Sequence, residues 1–136
     1  MAQYTKPLPT PTEQSKPFWD ACKQHELRIQ RCTKCGHYQH YPLAICSQCW
    51  SWDLEWAKVS GRGKIYTWVV CHVAFHPAFA DDLPYTFVTV ELDEGVRMTS
   101  QMVDVGPEEL YPGMPVEVVF DDVTEEVTLP KFKRAS

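Results

Sequence analysis

From Lys64 onward, apolar and polar residues alternate in five short runs: Lys64 to His72, Tyr85 to Leu92, Val96 to Val103, Pro115 to Phe120 and Leu129 to Lys133. A period of two, with Val, Ile, Tyr, Phe and Trp enriched, predicts half-buried strands. Turn chemistry separates the runs. Gly61-Arg62-Gly63 opens the first, Asp93-Glu94-Gly95 joins the second to the third, and Pro107-Glu108-Glu109-Leu110 predicts one helical turn before Gly113. Five strands with a short helix between the third and fourth fit an OB-type barrel.

The first half reads differently. Pro7, Pro9, Pro11 and Pro17 fall within Met1 to Pro17, which predicts an extended arm. A short helix is expected from Ser15, with Ser15 capping, Pro17 in the first turn, and Phe18, Cys22 and His25 on one face. Leu27-Arg28-Ile29-Gln30 alternates like a strand, and so does Trp52, Leu54 and Trp56 against Ser51, Asp53 and Glu55. Between these stretches lie two tight turns, Cys32-Thr33-Lys34-Cys35-Gly36 and Cys46-Ser47-Gln48-Cys49-Trp50. The expected fold is mainly β: residues 1–17 an arm, 18–59 a helix and a rubredoxin-like zinc ribbon, 60–136 a five-stranded OB-fold barrel with a C-terminal tail.

Two Cys-x-x-Cys pairs each present two sulfurs to one ion, the arrangement a tetrahedral thiolate site requires. The expected metal is zinc on Cys32, Cys35, Cys46 and Cys49, with His37 or His40 as the substitute ligand to weigh against one of them. Four cysteines leave no open coordination position, so the role is structural. Of six cysteines, Cys22 and Cys71 remain. Both read as packing residues; Cys71 lies in a β-run, and His72 beside it points to the opposite face, so the two do not form a nucleophile–base pair. No catalytic residue is assigned to the chain.

Length and charge narrow the possibilities further. A chain of 136 residues holds one domain or two small ones, which excludes a large self-contained enzyme fold. No apolar run reaches the roughly 18 residues of a membrane span, and Met1 to Thr12 lacks the apolar middle of a secretory signal. The chain is therefore read as cytoplasmic. The net charge of -5 divides into +2 for residues 1 to 60 (seven basic, five acidic) and -7 for residues 61 to 136 (six basic, thirteen acidic). Zinc ribbons and OB barrels bind single-stranded nucleic acid on basic, aromatic surfaces, and an acidic barrel argues against that use.

The segment from His72 to Pro84 is too long for a hairpin turn and too apolar for an idle loop. Phe75, His76 and Phe79 are its candidate contacts to a ligand or partner subunit; capping of the barrel by Phe75 and Phe79 is the plainer alternative. His72 and His76 have the spacing of a metal pair, but no third ligand lies nearby in the sequence. Five tryptophans, six tyrosines and six phenylalanines exceed what so small a core absorbs, so an exposed apolar patch is expected, built from Phe75, Phe79, Tyr38 and Tyr41.

The order of features, Phe18-Trp19, Cys32-x-x-Cys35-Gly36, Pro42, Cys46-x-x-Cys49 and Gly61-Arg62-Gly63-Lys64-Ile65-Tyr66-Thr67-Trp68, resembles the zinc-ribbon and OB-fold family once labelled domain of unknown function 35. Pro84-Tyr85, Val90-Glu91-Leu92-Asp93-Glu94-Gly95, Gly113-Met114-Pro115-Val116 and Leu129-Pro130-Lys131-Phe132 extend the likeness from about Ser15 to Lys133. The resemblance implies a non-catalytic small subunit of a thiolase-fold enzyme acting on a coenzyme A thioester, with the catalytic groups on the partner. Thiolytic cleavage of a 3-oxoacyl-CoA, such as benzoylsuccinyl-CoA, is one implied setting, and a steroid side-chain acyl-CoA aldolase is another. The implied assembly is a heterotetramer with acyl-CoA at or near the interface, without nucleic acid or membrane. A self-standing single-strand-binding module, and a thioesterase or acyltransferase using Cys71, are the competing readings.

Overall fold

The computed structural model describes residues 8–73, 77–78 and 83–135. Helix α1 spans Lys16–Lys23 and buries Phe18, Ala21 and Cys22. It ends earlier than the i, i+4, i+7 pattern predicts: His25 lies beyond it in the left-handed region, with φ of 60°. Ser15 stands at the N-cap, but its side chain makes no capping bond to the helix. Its hydroxyl instead accepts the Thr12 amide at 2.9 Å, while the Ser15 amide donates to the Thr12 hydroxyl at 3.1 Å. This closes a turn ahead of the helix.

Strands β1 (Arg28–Cys32), β2 (Tyr38–Gln39) and β3 (Leu54–Lys58) form a three-stranded antiparallel sheet in the order β2-β1-β3. The second half is a closed five-stranded barrel of β4 (Arg62–Cys71), β5 (Tyr85–Leu92), β6 (Arg97–Met102), β7 (Pro115–Asp122) and β8 (Thr128–Arg134). The strand order is β4-β5-β6-β8-β7, with β7 returning to β4. The contact of β6 with β8 is parallel and the other pairings are antiparallel. A 3-10 turn at Pro107–Glu109 fills the expected place between β6 and β7.

Alternation sets the register. Thr86, Val88, Val90 and Leu92 of β5 face inward and meet Met98 and Met102 of β6, Val116 of β7 and Phe132 of β8, all buried. In β4 a bulge falls between Ile65, opposite Val90, and Thr67, opposite Thr89, so Tyr66 is the extra residue and points outward. Gly63 permits the close approach of β4 to β5: a β-carbon there would stand 2.4 Å from the Glu91 carbonyl oxygen. The core is continuous across the chain, because Phe18, Cys22, Leu27 and Ile29 of the first half pack into the same cluster as Val59, Ile65 and the barrel residues. His25 adds a polar tie, stacking on Phe120 at 5.4 Å and placing Nε2 2.9 Å from Asp122 Oδ2.

Candidate metal centre

Two turns of the same construction bring the four cysteines together. In the first, the Cys32 carbonyl accepts the Gly36 amide at 2.9 Å and the Cys32 amide donates to His37 O at 2.9 Å. In the second, the Cys46 carbonyl accepts the Trp50 amide at 3.0 Å and the Cys46 amide donates to Ser51 O at 2.9 Å. Amides inside the turns point at the sulfurs: Cys35 N lies 3.5 Å from Cys32 Sγ and Gln48 N 3.3 Å from Cys46 Sγ. Such donors stabilise thiolate.

The sulfurs of Cys32, Cys35, Cys46 and Cys49 all lie within 4.8 Å of one another, with Cys32–Cys49 and Cys35–Cys46 at 3.5 Å. Zn–S bonds of about 2.3 Å at the tetrahedral angle place sulfurs about 3.8 Å apart, so the cluster fits one such ion with little movement. It does not fit disulfides, which need about 2.05 Å, and all six cysteines are free. Hydrogen bonding already divides the bare thiols. The Cys35 amide, chiefly, brings Cys32 down to about 6, and the Cys49 amide lowers Cys46. Cys49 is pushed up: the Ser51 amide lowers it, but sharing hydrogens with the other three sulfurs and desolvation outweigh that bond.

A pair of buried glutamines holds the second turn against the first. Gln30 and Gln39 sit opposite each other on β1 and β2, 5% and 6% exposed. Gln30 Oε1 accepts the Leu43 amide at 2.8 Å, and its Nε2 donates to Leu43 O at 2.9 Å. Gln39 Nε2 donates to Gln30 Oε1 at 2.9 Å and to Ile45 O at 3.1 Å, while Gln39 Oε1 accepts the Ser47 amide at 3.0 Å. These amides do for the segment 43–47 what a β-ladder does for a strand. Neither residue is distinguished in the sequence, where a polar residue in an alternating run reads as solvent-facing, and no local signal marks them.

The remaining candidates fall outside the cluster. His37 lends it only backbone groups, its carbonyl to the Cys32 amide and its amide to the Cys35 sulfur, and His40 packs on Phe18 at 5.2 Å with the rings tilted by 46°, its pKa pushed down to about 4 by burial. Cys22 is buried in the core, where desolvation pushes its thiol up to about 12. Cys71 ends β4 opposite Tyr85, whose phenol is raised by desolvation and then by the Cys71 thiol; His72 is exposed beyond the strand. Phe75, His76 and Phe79 lie outside the described residues. Of the other members of the expected patch, Tyr41 is 52% exposed, but Tyr38 is half-buried against the core beneath Arg31. Phe18, Trp19, His40, Tyr41, Phe87 and Pro130 line part of an apolar groove of about 300 Å³ where helix, ribbon and barrel meet. No helix among the described residues is long and apolar enough to cross a membrane.

A ribbon with four converging thiols, sharing its core with a closed barrel of order β4-β5-β6-β8-β7, places the molecule in the class of zinc-ribbon OB-fold proteins. Its family follows from the comparisons. The model of the rubredoxin-like zinc ribbon domain of ChsH2 matches residues 19–55, and that of the C-terminal OB-fold domain of ChsH2 matches residues 56–121. The chain belongs to this ChsH2-like, DUF35 family of zinc-ribbon and OB-fold proteins.

A DUF35 domain-containing scaffold protein of Methanocaldococcus jannaschii is 42% identical over 97 residues, 71% of this chain and 68% of that one. A probable enoyl-CoA hydratase alpha subunit of Thermomonospora curvata is 39% identical over 119 residues, 87% of this chain but 37% of that protein. The chain thus spans little more than a third of the length of that relative. The benzoylsuccinyl-CoA thiolase subunit BbsA of Geobacter metallireducens is 32% identical over 76 residues, 56% of this chain and 49% of that one. Among solved structures, a chain of an Ltp2-ChsH2(DUF35) aldolase superposes with a TM-score of 0.85 at 35% identity, covering 95% of this chain and 100% of that chain.

Proposed function

We propose that this chain is a non-catalytic, zinc-stabilised subunit of an acyl-CoA enzyme complex whose catalytic groups lie on a thiolase-fold partner. The observation that carries the reading is the likeness over nearly the whole chain to a chain of the Ltp2-ChsH2(DUF35) aldolase, together with the BbsA thiolase-subunit relative. The site chemistry supports it. Four thiolates from Cys32, Cys35, Cys46 and Cys49 saturate a tetrahedral zinc, so the metal stiffens the ribbon and activates neither water nor thioester. Cys71 has no imidazole base at hydrogen-bond range among the described residues, and a thiol without one is a poor nucleophile.

The arm 1–17, the ribbon unit 18–59 and the barrel 60–136 then serve as docking surfaces. They shape the acyl-CoA entrance of the partner and exclude water from its apolar acyl group, with Phe75, His76 and Phe79 as the contact loop. Thiolysis of a 3-oxoacyl-CoA is the favoured reaction of the complex. Retro-aldol cleavage is the second reading, favoured by the aldolase likeness. The excess of seven acidic charges on residues 61 to 136 opposes nucleic-acid binding, and leaves most coenzyme phosphate contacts to the partner. Co-expression with thiolase-fold chains, followed by size-exclusion chromatography and assays of thiolysis and retro-aldol cleavage, tests the proposal. Activity confined to the assembled complex supports it. Turnover by this chain alone, or its failure to join any such partner, refutes it.

A further inference from the structure

The two cysteine turns differ at one telling position. Each reverses at the residue after its second cysteine, and both residues take the left-handed conformation: Gly36 with φ of 77° and Trp50 with φ of 66°. Glycine occupies that region freely, whereas a residue with a β-carbon pays about 1–2 kcal/mol. Trp50 recovers none of this by packing, since it is 75% exposed, and Trp52 two positions on is 77% exposed. No hydrogen bond among the described residues engages either indole nitrogen. Backbone strain and two solvated indoles thus coincide on one turn, and such coincidences mark contact sites.

The charge around the turn limits what the contact is. Four thiolates on one zinc carry a net charge of -2, and Cys35 and Cys49 are exposed. A cavity of about 480 Å³ beside them is lined by Lys34, Cys35, Cys49, Ser51, Trp52 and Asp53. Lys34 is the one cation in that lining, and its Nζ is already 3.5 Å from Asp53 Oδ2. The tip therefore combines indole faces with unbalanced negative charge. Phosphate-rich partners, whether nucleic acid or anionic lipid, are repelled; a protein surface bearing Arg or Lys is attracted both to the thiolate cluster and to the indole faces.

We infer that Trp50 and Trp52 anchor the ribbon tip in an apolar socket on the partner protein, with an Arg or Lys of the socket rim seated beside Cys35 and Cys49. The inference rests on the partner-subunit reading above and names a surface for it. Buried tryptophan anchors surrounded by a polar rim are the usual source of interface energy. The strained backbone at Trp50 is then the cost of aiming the indole outward from a turn that would close more easily on glycine.

The test titrates the holo chain, zinc content verified, into the separately purified thiolase-fold chain that the wild-type protein recovers from its source. Kd is read by calorimetry, and tryptophan emission by fluorescence. Trp50→Gly and Trp52→Ser are each expected to raise Kd at least ~30-fold, the effect of losing a hot-spot side chain. Zinc content and melting temperature should stay at wild-type values or, for Trp50→Gly, rise. Raising salt from 50 to 500 mM should weaken wild-type binding several-fold, and the assembly-dependent blue shift should vanish in the double variant. Wild-type assembly with unchanged Kd in both variants overturns this inference and leaves the partner-subunit reading standing. Recovery of no thiolase-fold chain by the wild type overturns both.

Discussion

The side-chain amide of Gln39 donates to Oε1 of Gln30 at 2.9 Å, joining two buried residues that face each other across β1 and β2. The same two side-chain amides also grip Leu43, Ile45 and Ser47, on either side of the start of the second cysteine turn. Cys46 is thereby held between two residues, Ile45 and Ser47, that both bond to the Gln39 side chain. Replacing Gln39 by Ala removes the side-chain partner of the Ser47 amide and of the Ile45 carbonyl, at about 1–3 kcal/mol for each such group left unsatisfied, while Gln30 Oε1 keeps the Leu43 amide. Gln39→Ala should lower the melting temperature and speed zinc release to a chelator. Gln39→Met, which keeps the volume and loses the bonds, should be as damaging; a harmless Met variant would show that Gln39 is only a filler.

Metal removal should reach beyond the ribbon. Apparent zinc binding energies in small ribbons are about 10–16 kcal/mol, and the ribbon strands share one core with the barrel through Leu27 and Ile29. Chelation, or Cys46→Ser, should therefore lower the melting temperature of the whole chain, with far-UV circular dichroism and tryptophan emission moving together. A barrel transition unchanged by zinc loss would contradict the shared core.

Much of this architecture is legible in the sequence because its signals are local. Cys-x-x-Cys fixes a turn by itself, and the alternation in Tyr85–Leu92 states which face is buried. Signals that depend on distant partners are not legible. Gln30 reads as an outward residue of an alternating strand, yet is buried because Gln39 and Leu43 satisfy its amide. His25 continues the helical spacing of Phe18 and Cys22, yet the chain leaves the helix at Lys23 and His25 reaches Asp122. Trp52 reads as one edge with Leu54 and Trp56, yet β3 begins at Leu54 and Trp52 stays in solvent. Composition does announce surplus aromatics; only the backbone shows that two of them sit at the ribbon tip.

Gly63→Ala should be among the most disruptive small substitutions. The added carbon would meet the Glu91 carbonyl oxygen at 2.4 Å and the Leu92 Cα at 2.9 Å, both backbone atoms of the paired strand. Overpacking of this kind typically costs about 1–3 kcal/mol. Chemical denaturation should show a reduced midpoint with zinc content preserved. Gly95→Ala provides a contrast, because nothing lies within 4 Å of its added carbon and only the positive φ of 94° resists it.

Acid should destabilise the fold in two separable stages. Burial holds His40 at about 4, below its ordinary 6.5, so the unfolded chain binds more protons than the folded one between those values. Its contribution is complete above pH 6.5 and is lost as pH falls toward 4, by at most about 3 kcal/mol at 1.36 kcal/mol per unit. Asp122 is lowered first by the Thr128 hydroxyl and then by His25, so its contribution persists above the ordinary carboxylate pKa of about 3.9 and fails below it. Urea midpoints measured from pH 7.5 to 4.5 should fall, and His40→Phe, which keeps a ring against Phe18, should flatten that slope. Asp122→Asn should instead change the response only below about pH 4. A wild-type midpoint that stays level between pH 6.5 and 4.5 would mean that His40 is solvated, and would remove it from the helix–ribbon packing.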